Sequence, residues 1–307
     1  MIEFYAAIFR ATGRAQILLI VLSLIVAGLS PIPLEYQRDI INGLTEGVDE
    51  TALYGLGLEM GAVILLSLGL KWVLGYRSGI VGEDVIRRLR SMIAERSVNG
   101  EMLVQKRGTT ASMIASESEA LGKFVGSSVA EPLLQFGTLV SVLGYVAVTQ
   151  PRLGLVIALI VLPQAIIVMA TQMRINTLVQ ERVLVLRHAV NGITSSELAA
   201  EMEGIRKDFD RIYEARRQMF VWKLSTKMIL SALNGAGLVV VLVVGGALVI
   251  DGRSDVGTVV AATVALGRIQ GPWRQLVAFY RNMSAVRVQY ELLRDAIGLL
   301  GARRAAP

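Results

Sequence analysis

Residues 62–76, AVILLSLGLKWVLGY, are followed after five residues by GEDVIRRLRSMIAERSV, residues 82–98. The first stretch is apolar enough to sit in lipid, whereas the second crowds Arg87, Arg88, Arg90 and Arg96 among Glu83, Asp84 and Glu95. In the charged stretch Val81, Val85, Ile86, Leu89, Met92 and Ile93 recur at three- and four-residue spacing, and the arginines take the other side. That spacing predicts an amphipathic helix in water. No proline occurs from residue 34 to residue 131, so nothing forces a break between the two stretches, and Gly75, Gly79 and Gly82 only soften the junction. A single helix from about 53 to 98 would be roughly 70 Å long, against a hydrocarbon core of about 30 Å. More than half of it must stand clear of the lipid.

Composition points the same way. Of the 307 residues 53% are hydrophobic and only 18% charged, against about a quarter charged in soluble domains. The excess of basic over acidic residues would suggest an anionic partner in a soluble protein, but the apolar runs outweigh that reading and nucleic acid is not expected. With no cysteine there is no disulfide framework, thiolate metal site or cysteine nucleophile. The one histidine, His188, lies among polar residues and is read as a solvated side chain, so neither a metal site nor a catalytic residue is expected. Arg10 and Arg14 before QILLIVLSLIVAGLS imitate a signal peptide. The following PIPLEYQRDII has no small-x-small cleavage site and keeps a helical pattern to about Leu44, which predicts a retained membrane helix.

Six segments approach the roughly 20 apolar residues that a spanning helix needs: 15–35, 53–75, 127–148, 153–173, 229–250 and 256–280. The last is the weakest, because Arg268 and Arg274 lie inside it. Short and long connections alternate, so the long loops, 76–126 and 174–228, fall on one side with both termini. That side holds 25 of the 31 basic residues, and the positive-inside rule makes it cytoplasmic. The expected architecture is therefore an all-α, polytopic membrane protein formed as a single domain over 1–307, with six spans and two extended cytoplasmic helical hairpins. Asn99-Gly100 and Asn191-Gly192 are candidate turns at the hairpin tips, or the sites of short transverse helices presented to a partner.

This layout resembles the transmembrane domain of an ABC exporter. The matching stretches are VIRRLRSMIAERSV entering the first long loop, RGTTASMIASESEALGKFV leaving it, EGIRKDF in the second, and a sixth span with Gly257, Gly271-Pro272 and a closing RVQYELL. In EGIRKDF one apolar position expected between Ile205 and Phe209 is missing. The resemblance implies a permease half that moves cargo by alternating access, paired with a second transmembrane subunit, identical or not. ATP and Mg would be held on partner nucleotide-binding domains. Residues 1–307 contain no G-x-x-x-x-G-K-[ST] loop, since Gly122-Lys123 has Glu117 where the first glycine should stand. This chain is thus expected not to be an enzyme by itself, with the ATPase on a separate subunit, on a further stretch of chain, or lost. A bacterial inner-membrane location is expected. The alternatives are a non-transporting scaffold or regulatory membrane protein on the same fold and, with less support, a transporter driven by an ion gradient.

If the resemblance holds, force passes through Val98, Asn99, Gly100, Met102, Leu103 and Arg107 on the first hairpin and Arg187, Asn191, Gly192 and Ile193 on the second. Charges inside spans are functional candidates because burying one in hydrocarbon costs at least about 2.5 kcal/mol. Glu59, Lys71, Arg268 and Arg274 meet that criterion. Arg268 and Gln275 are seven residues apart and share a face, with Trp273 available for stacking, so a polar stripe facing an anionic or amphipathic cargo is one reading. The other is that Lys71 and Arg274 snorkel to the boundary and Arg268 pairs with a carboxylate such as Glu59. Pro132, Pro163 and Pro272 are expected to kink helices. Gly57/Gly61 and Gly75/Gly79 are spaced for close helix contact.

Overall fold

The computed structural model describes residues 2–98, 118–193 and 198–302, and every regular element among them is an α-helix. In chain order these are α1 (Ile2–Leu29), α2 (Ile32–Glu46), α3 (Glu50–Val98), α4 (Ser118–Ser127), α5 (Ala130–Thr149), α6 (Pro151–Ile193), α7 (Leu198–Ile250) and α8 (Val256–Ala302). The unbroken helix expected from the two opening stretches is α3, whose 49 residues measure about 74 Å end to end. Helices α6, α7 and α8 follow the same plan with 43, 53 and 47 residues. The charged portions of α3 and α7 carry local ion pairs such as Arg87–Asp84 and Arg217–Glu214, the pattern of a helix face in water.

Among the described residues, five stretches are long and apolar enough to cross a membrane: Thr12–Glu46, Glu50–Glu95, Ser118–Thr149, Pro151–Leu186 and Met202–Ile250. The sixth expected span is helical, within α8, but does not reach that apolarity. Arg268, Gln270, Arg274 and Gln275 interrupt its apolar run.

The chain forms two compact units, Met1–Thr149 with Ser254–Pro307, and Gln150–Arg253. In the first, prolines decide where helices break. Pro31 and Pro33 have no N–H to donate, so the carbonyls of Ala27 and Leu29 lose their helical partners and the chain turns at Ser30-Pro31. The carbonyl of Ala27 is recovered by the Ser30 N–H at 3.2 Å and by Ser141 Oγ of α5 at 2.7 Å. Pro132 acts likewise one turn downstream of the break between α4 and α5, withholding a hydrogen bond from Ser128. Two fully buried polar residues of α1 line this junction: Gln16 Nε2 donates to the Val125 carbonyl at 3.2 Å and Ser23 Oγ to the Ala130 carbonyl at 3.2 Å. By contrast, α6 and α8 continue as helices through Pro163 and Pro272.

Close helix contact occurs at glycines other than the expected pairs. A methyl group on Gly57, Gly61, Gly75 or Gly79 would meet nothing within 4 Å, which corrects that expectation. The tight approach is between α3 and α4, where a Cβ on Gly126 would strike the Ser78 carbonyl and one on Gly122 would strike Ile86 and lie 2.8 Å from the Gly82 carbonyl. Spacing alone could not separate these sets, because whether a small-residue pair faces a neighbour depends on helix rotation. The contact seats a core of Ile93, Leu121, Phe124, Val125 and Val286, with Phe124 stacked on Phe279 of α8 at 5.5 Å.

The second unit is an antiparallel hairpin of α6 and α7. Gln164 bonds Asn234 at 3.0 Å, Thr171 meets Thr226 at 2.8 Å, and His188 Nδ1 lies 2.6 Å from Asp208 Oδ2, so numbers rise on one helix as they fall on the other. Buried polar rungs of this kind fix register where apolar packing against apolar lipid is indifferent. His188 is exposed, as expected, yet its partner Asp208 is buried. The turn expected at Asn191-Gly192 is absent. Both residues are helical and α6 runs to Ile193.

Candidate functional site

Within the first unit, α1, α2, α3, α5 and α8 surround an open cleft of about 600 Å³. Its polar lining comes from Ser30, Ser67, Lys71, Glu131, Gln135, Thr138, Arg268 and Gln275. Each is presented for a local reason. Pro31 ends α1 and frees the Ser30 carbonyl, since the Leu34 N–H that would have bonded it turns to Pro31 instead, at 2.8 Å. Arg268 Nη1 takes the freed carbonyl at 3.3 Å. Among the described residues no carboxylate lies within ion-pair distance of Arg268 or Lys71. Glu131 sits in the first turn of α5, where the positive end of the helix favours it.

A short polar chain crosses the cleft. Gln135 Nε2 donates to Glu131 Oε1 at 3.1 Å and to Gln275 Oε1 of α8 at 2.7 Å. Glu131 and Gln275 also line a second cleft, of about 520 Å³, which continues past Phe124, Phe279 and Asn282. One side of α8 therefore faces open, polar-lined space at Arg268 and Gln275, bounded by apolar side chains such as Ile64, Leu68, Leu134 and Val142.

Of the residues singled out from sequence, Arg268 and Gln275 meet in this cleft together with Lys71. Glu59 lies elsewhere, near the Tyr36 hydroxyl, and does not pair with Arg268. Arg274 is exposed, and Trp273 is partly buried with its indole N–H reaching no acceptor among the described residues. Neither lines the cleft. Val98 closes α3, and Arg187, Asn191, Gly192 and Ile193 occupy the last turns of α6, their side chains outside the described set. Asn99, Gly100, Met102, Leu103 and Arg107 lie outside the described residues. Sequence reading overlooked Glu131 and Gln135. Glu131 falls in the expected third span and satisfied the criterion that flagged Arg268; Gln135, being uncharged, did not.

Away from the cleft, the C-terminal end of α2 is clasped to the N-terminal end of α8. Asn42 Nδ2 donates to Asp255 Oδ1 at 2.7 Å, the Gly257 N–H donates to Asn42 Oδ1 at 2.7 Å, and Asp255 caps α8 by accepting from the Thr258 N–H. Glycine is required at 257, since a Cβ there would strike the Arg38 carbonyl and lie 2.6 Å from Asn42 Oδ1. Burial pushes the Asp255 carboxyl upward. Hydrogen bonds from Asn42 and Thr258, with the nearby Arg38 guanidinium, outweigh it and hold the group below its ordinary value.

Long apolar helices with charged extensions, polar contacts between them and an open cationic cleft define an integral, multi-pass membrane protein. The sequence profile of the ABC transporter transmembrane region matches residues 16–273. The chain belongs to that family and is the membrane component of an ABC transporter. Comparison with curated protein sequences gives no match.

Proposed function

We propose that the chain is the permease half of an ATP-driven exporter, working as a dimer and moving cargo by alternating access. The observation that carries the reading is the length of α3, α6, α7 and α8, which exceeds the bilayer by half or more of each helix. Stiff rods of that length suit transmission of a displacement from outside the bilayer to a cleft within it. A carrier driven by an ion gradient has no evident use for them. In this reading the long hairpins are cytoplasmic, and residues 98–107 and 187–193 dock on nucleotide-binding domains that hold ATP and Mg.

The test is reconstitution of the chain in liposomes with its nucleotide-binding domain, followed by ATP hydrolysis and vesicular accumulation of a fluorescent amphiphile. Glutamate at Met102, Leu103 or Ile193 is expected to reduce stimulated hydrolysis about tenfold, the loss of a small apolar contact worth roughly 1.4 kcal/mol or more. Unchanged stimulation in all three variants removes the docking assignment. Stable assembly with no nucleotide-dependent movement by the wild-type chain would favour the scaffold reading instead.

A further inference from the structure

The cleft is open, and its charge balance is unusual beside its apolar walls. Lys71 from α3 and Arg268 from α8 present two cations, and among the described residues neither has a carboxylate within ion-pair distance. The single acid of the lining, Glu131, is engaged by Gln135 and stands at a helix N-terminus, so two separate partners already favour its charge. Uncompensated cations in an apolar setting are costly and mark ligand pathways. The same cleft is walled by Ile64, Leu68, Leu134 and Val142, which suits an alkyl chain and not a small hydrophilic anion.

We propose that this cleft binds an anionic amphiphile, with its acid group between Arg268 and Lys71, its polar shoulder against Gln135 and Gln275, and its tail along the apolar wall. The assignment rests on the reading of the cleft as the cargo site, yet it concerns binding alone and stands without any ATPase. Carboxylate, phosphate and sulfate heads share the required chemistry. Such a molecule could be a free single-chain acid or a lipid of the surrounding bilayer.

The experiment uses the full chain in nanodiscs of zwitterionic lipid, without nucleotide, and a diazirine-bearing palmitate as the probe. Cross-linked peptides are mapped by mass spectrometry. Saturable labelling of residues 64–71 and 134–142 is expected, displaced by dodecyl phosphate but not by dodecyltrimethylammonium of the same tail. Displacement by anionic phospholipid added to the nanodiscs identifies the bilayer as the source; its failure, with dodecyl phosphate still competing, identifies a free acid. Arg268→Gln and Lys71→Gln should each weaken the probe about tenfold, the loss of one charge-assisted hydrogen bond. Glu131→Gln should tighten it about threefold by removing a like charge, a gain that general destabilisation would not produce. Equal competition by the cationic amphiphile, or labelling indifferent to all three substitutions, overturns the proposal. Failure of stimulated ATP hydrolysis with this binding intact would count against the transport reading alone.

Discussion

Replacing Gly126 with alanine puts a methyl group against backbone, and the outcome can be worked from geometry. Alanine in mid-helix is favoured over glycine by about 1 kcal/mol, a gain that applies in full at Gly79 and less at Gly126, one residue from the end of α4. At Gly79 nothing lies within 4 Å of the added carbon, so Gly79→Ala should simply stabilise. At Gly126 the carbon strikes the Ser78 carbonyl and lies 3.2 Å from the Gly82 nitrogen and 3.3 Å from its Cα. These are main-chain atoms that cannot rotate away, so α3 and α4 must separate and loosen the core around Phe124 and Val125. Overpacking of this kind costs about 1–3 kcal/mol, which is therefore the least gap expected between the two variants. Gly122→Ala should also fall well below Gly79→Ala, because the added carbon would strike Ile86 close to its stiff β-branched carbon and lie 2.8 Å from the Gly82 carbonyl. The assay is tryptophan fluorescence during heating of the purified variants in one detergent at one scan rate, since membrane-protein unfolding is often irreversible and only rank order is then meaningful. If Gly126→Ala proves as stable as Gly79→Ala, the close contact of α3 and α4 is refuted.

Two further outcomes follow from the polar contacts. Asn42→Ala removes both bonds that join α2 to α8 and should cost about 1–3 kcal/mol, seen as faster hydrogen exchange at the start of α8. Because the Asp255 carboxyl is depressed in the folded chain, its stabilisation is complete above the ordinary carboxylate value of about 3.9 and is lost as pH falls through the lower, folded one. Exchange in wild type should therefore rise only at such acid pH, and Asp255→Asn should abolish that dependence; a rise that persists in the variant would place the titration elsewhere. His188→Ala leaves the buried Asp208 with Arg211 at 3.8 Å as its remaining ion-pair partner and should increase amide exchange near the hairpin end about tenfold, the lost bond to a charged group being worth roughly 1.5 kcal/mol. Unaltered exchange there would mean that the contact contributes nothing to holding α6 against α7.

Much of the architecture was legible because a bilayer imposes a simple rule. Backbone polar groups must be satisfied within the segment, so a 20-residue apolar run is a helix with few alternatives. Continuity of α3 followed from the absence of proline between residues 34 and 131, and amphipathic spacing carried it to Val98. The sixth span is the weakest because Arg268 and Arg274 interrupt its apolar run, while the helix itself continues. Contacts between helices were not legible. Gly75/Gly79 and Gly122/Gly126 have identical spacing, yet only the second pair faces another helix. Arg268 was marked by its charge, but its partner proved to be the Ser30 carbonyl, which no pattern of side chains announces because it is a backbone atom released by Pro31. The Asn191-Gly192 dipeptide is helical where a turn was one expectation, since glycine in a helix costs only about 1 kcal/mol.

The sequence alone determined what depends on each segment and its solvent: that the chain is helical, that it crosses a membrane repeatedly, and that several helices outrun the lipid. These follow from hydropathy and hydrogen-bond satisfaction, which act over a few turns of chain. Only the tertiary structure decided which polar groups share a cleft, which glycines admit a neighbour and which carbonyls are left open. Those outcomes depend on the rotation and register of one helix against another, and in lipid, where apolar faces gain little by choosing one another, a few buried polar atoms and missing side chains settle them.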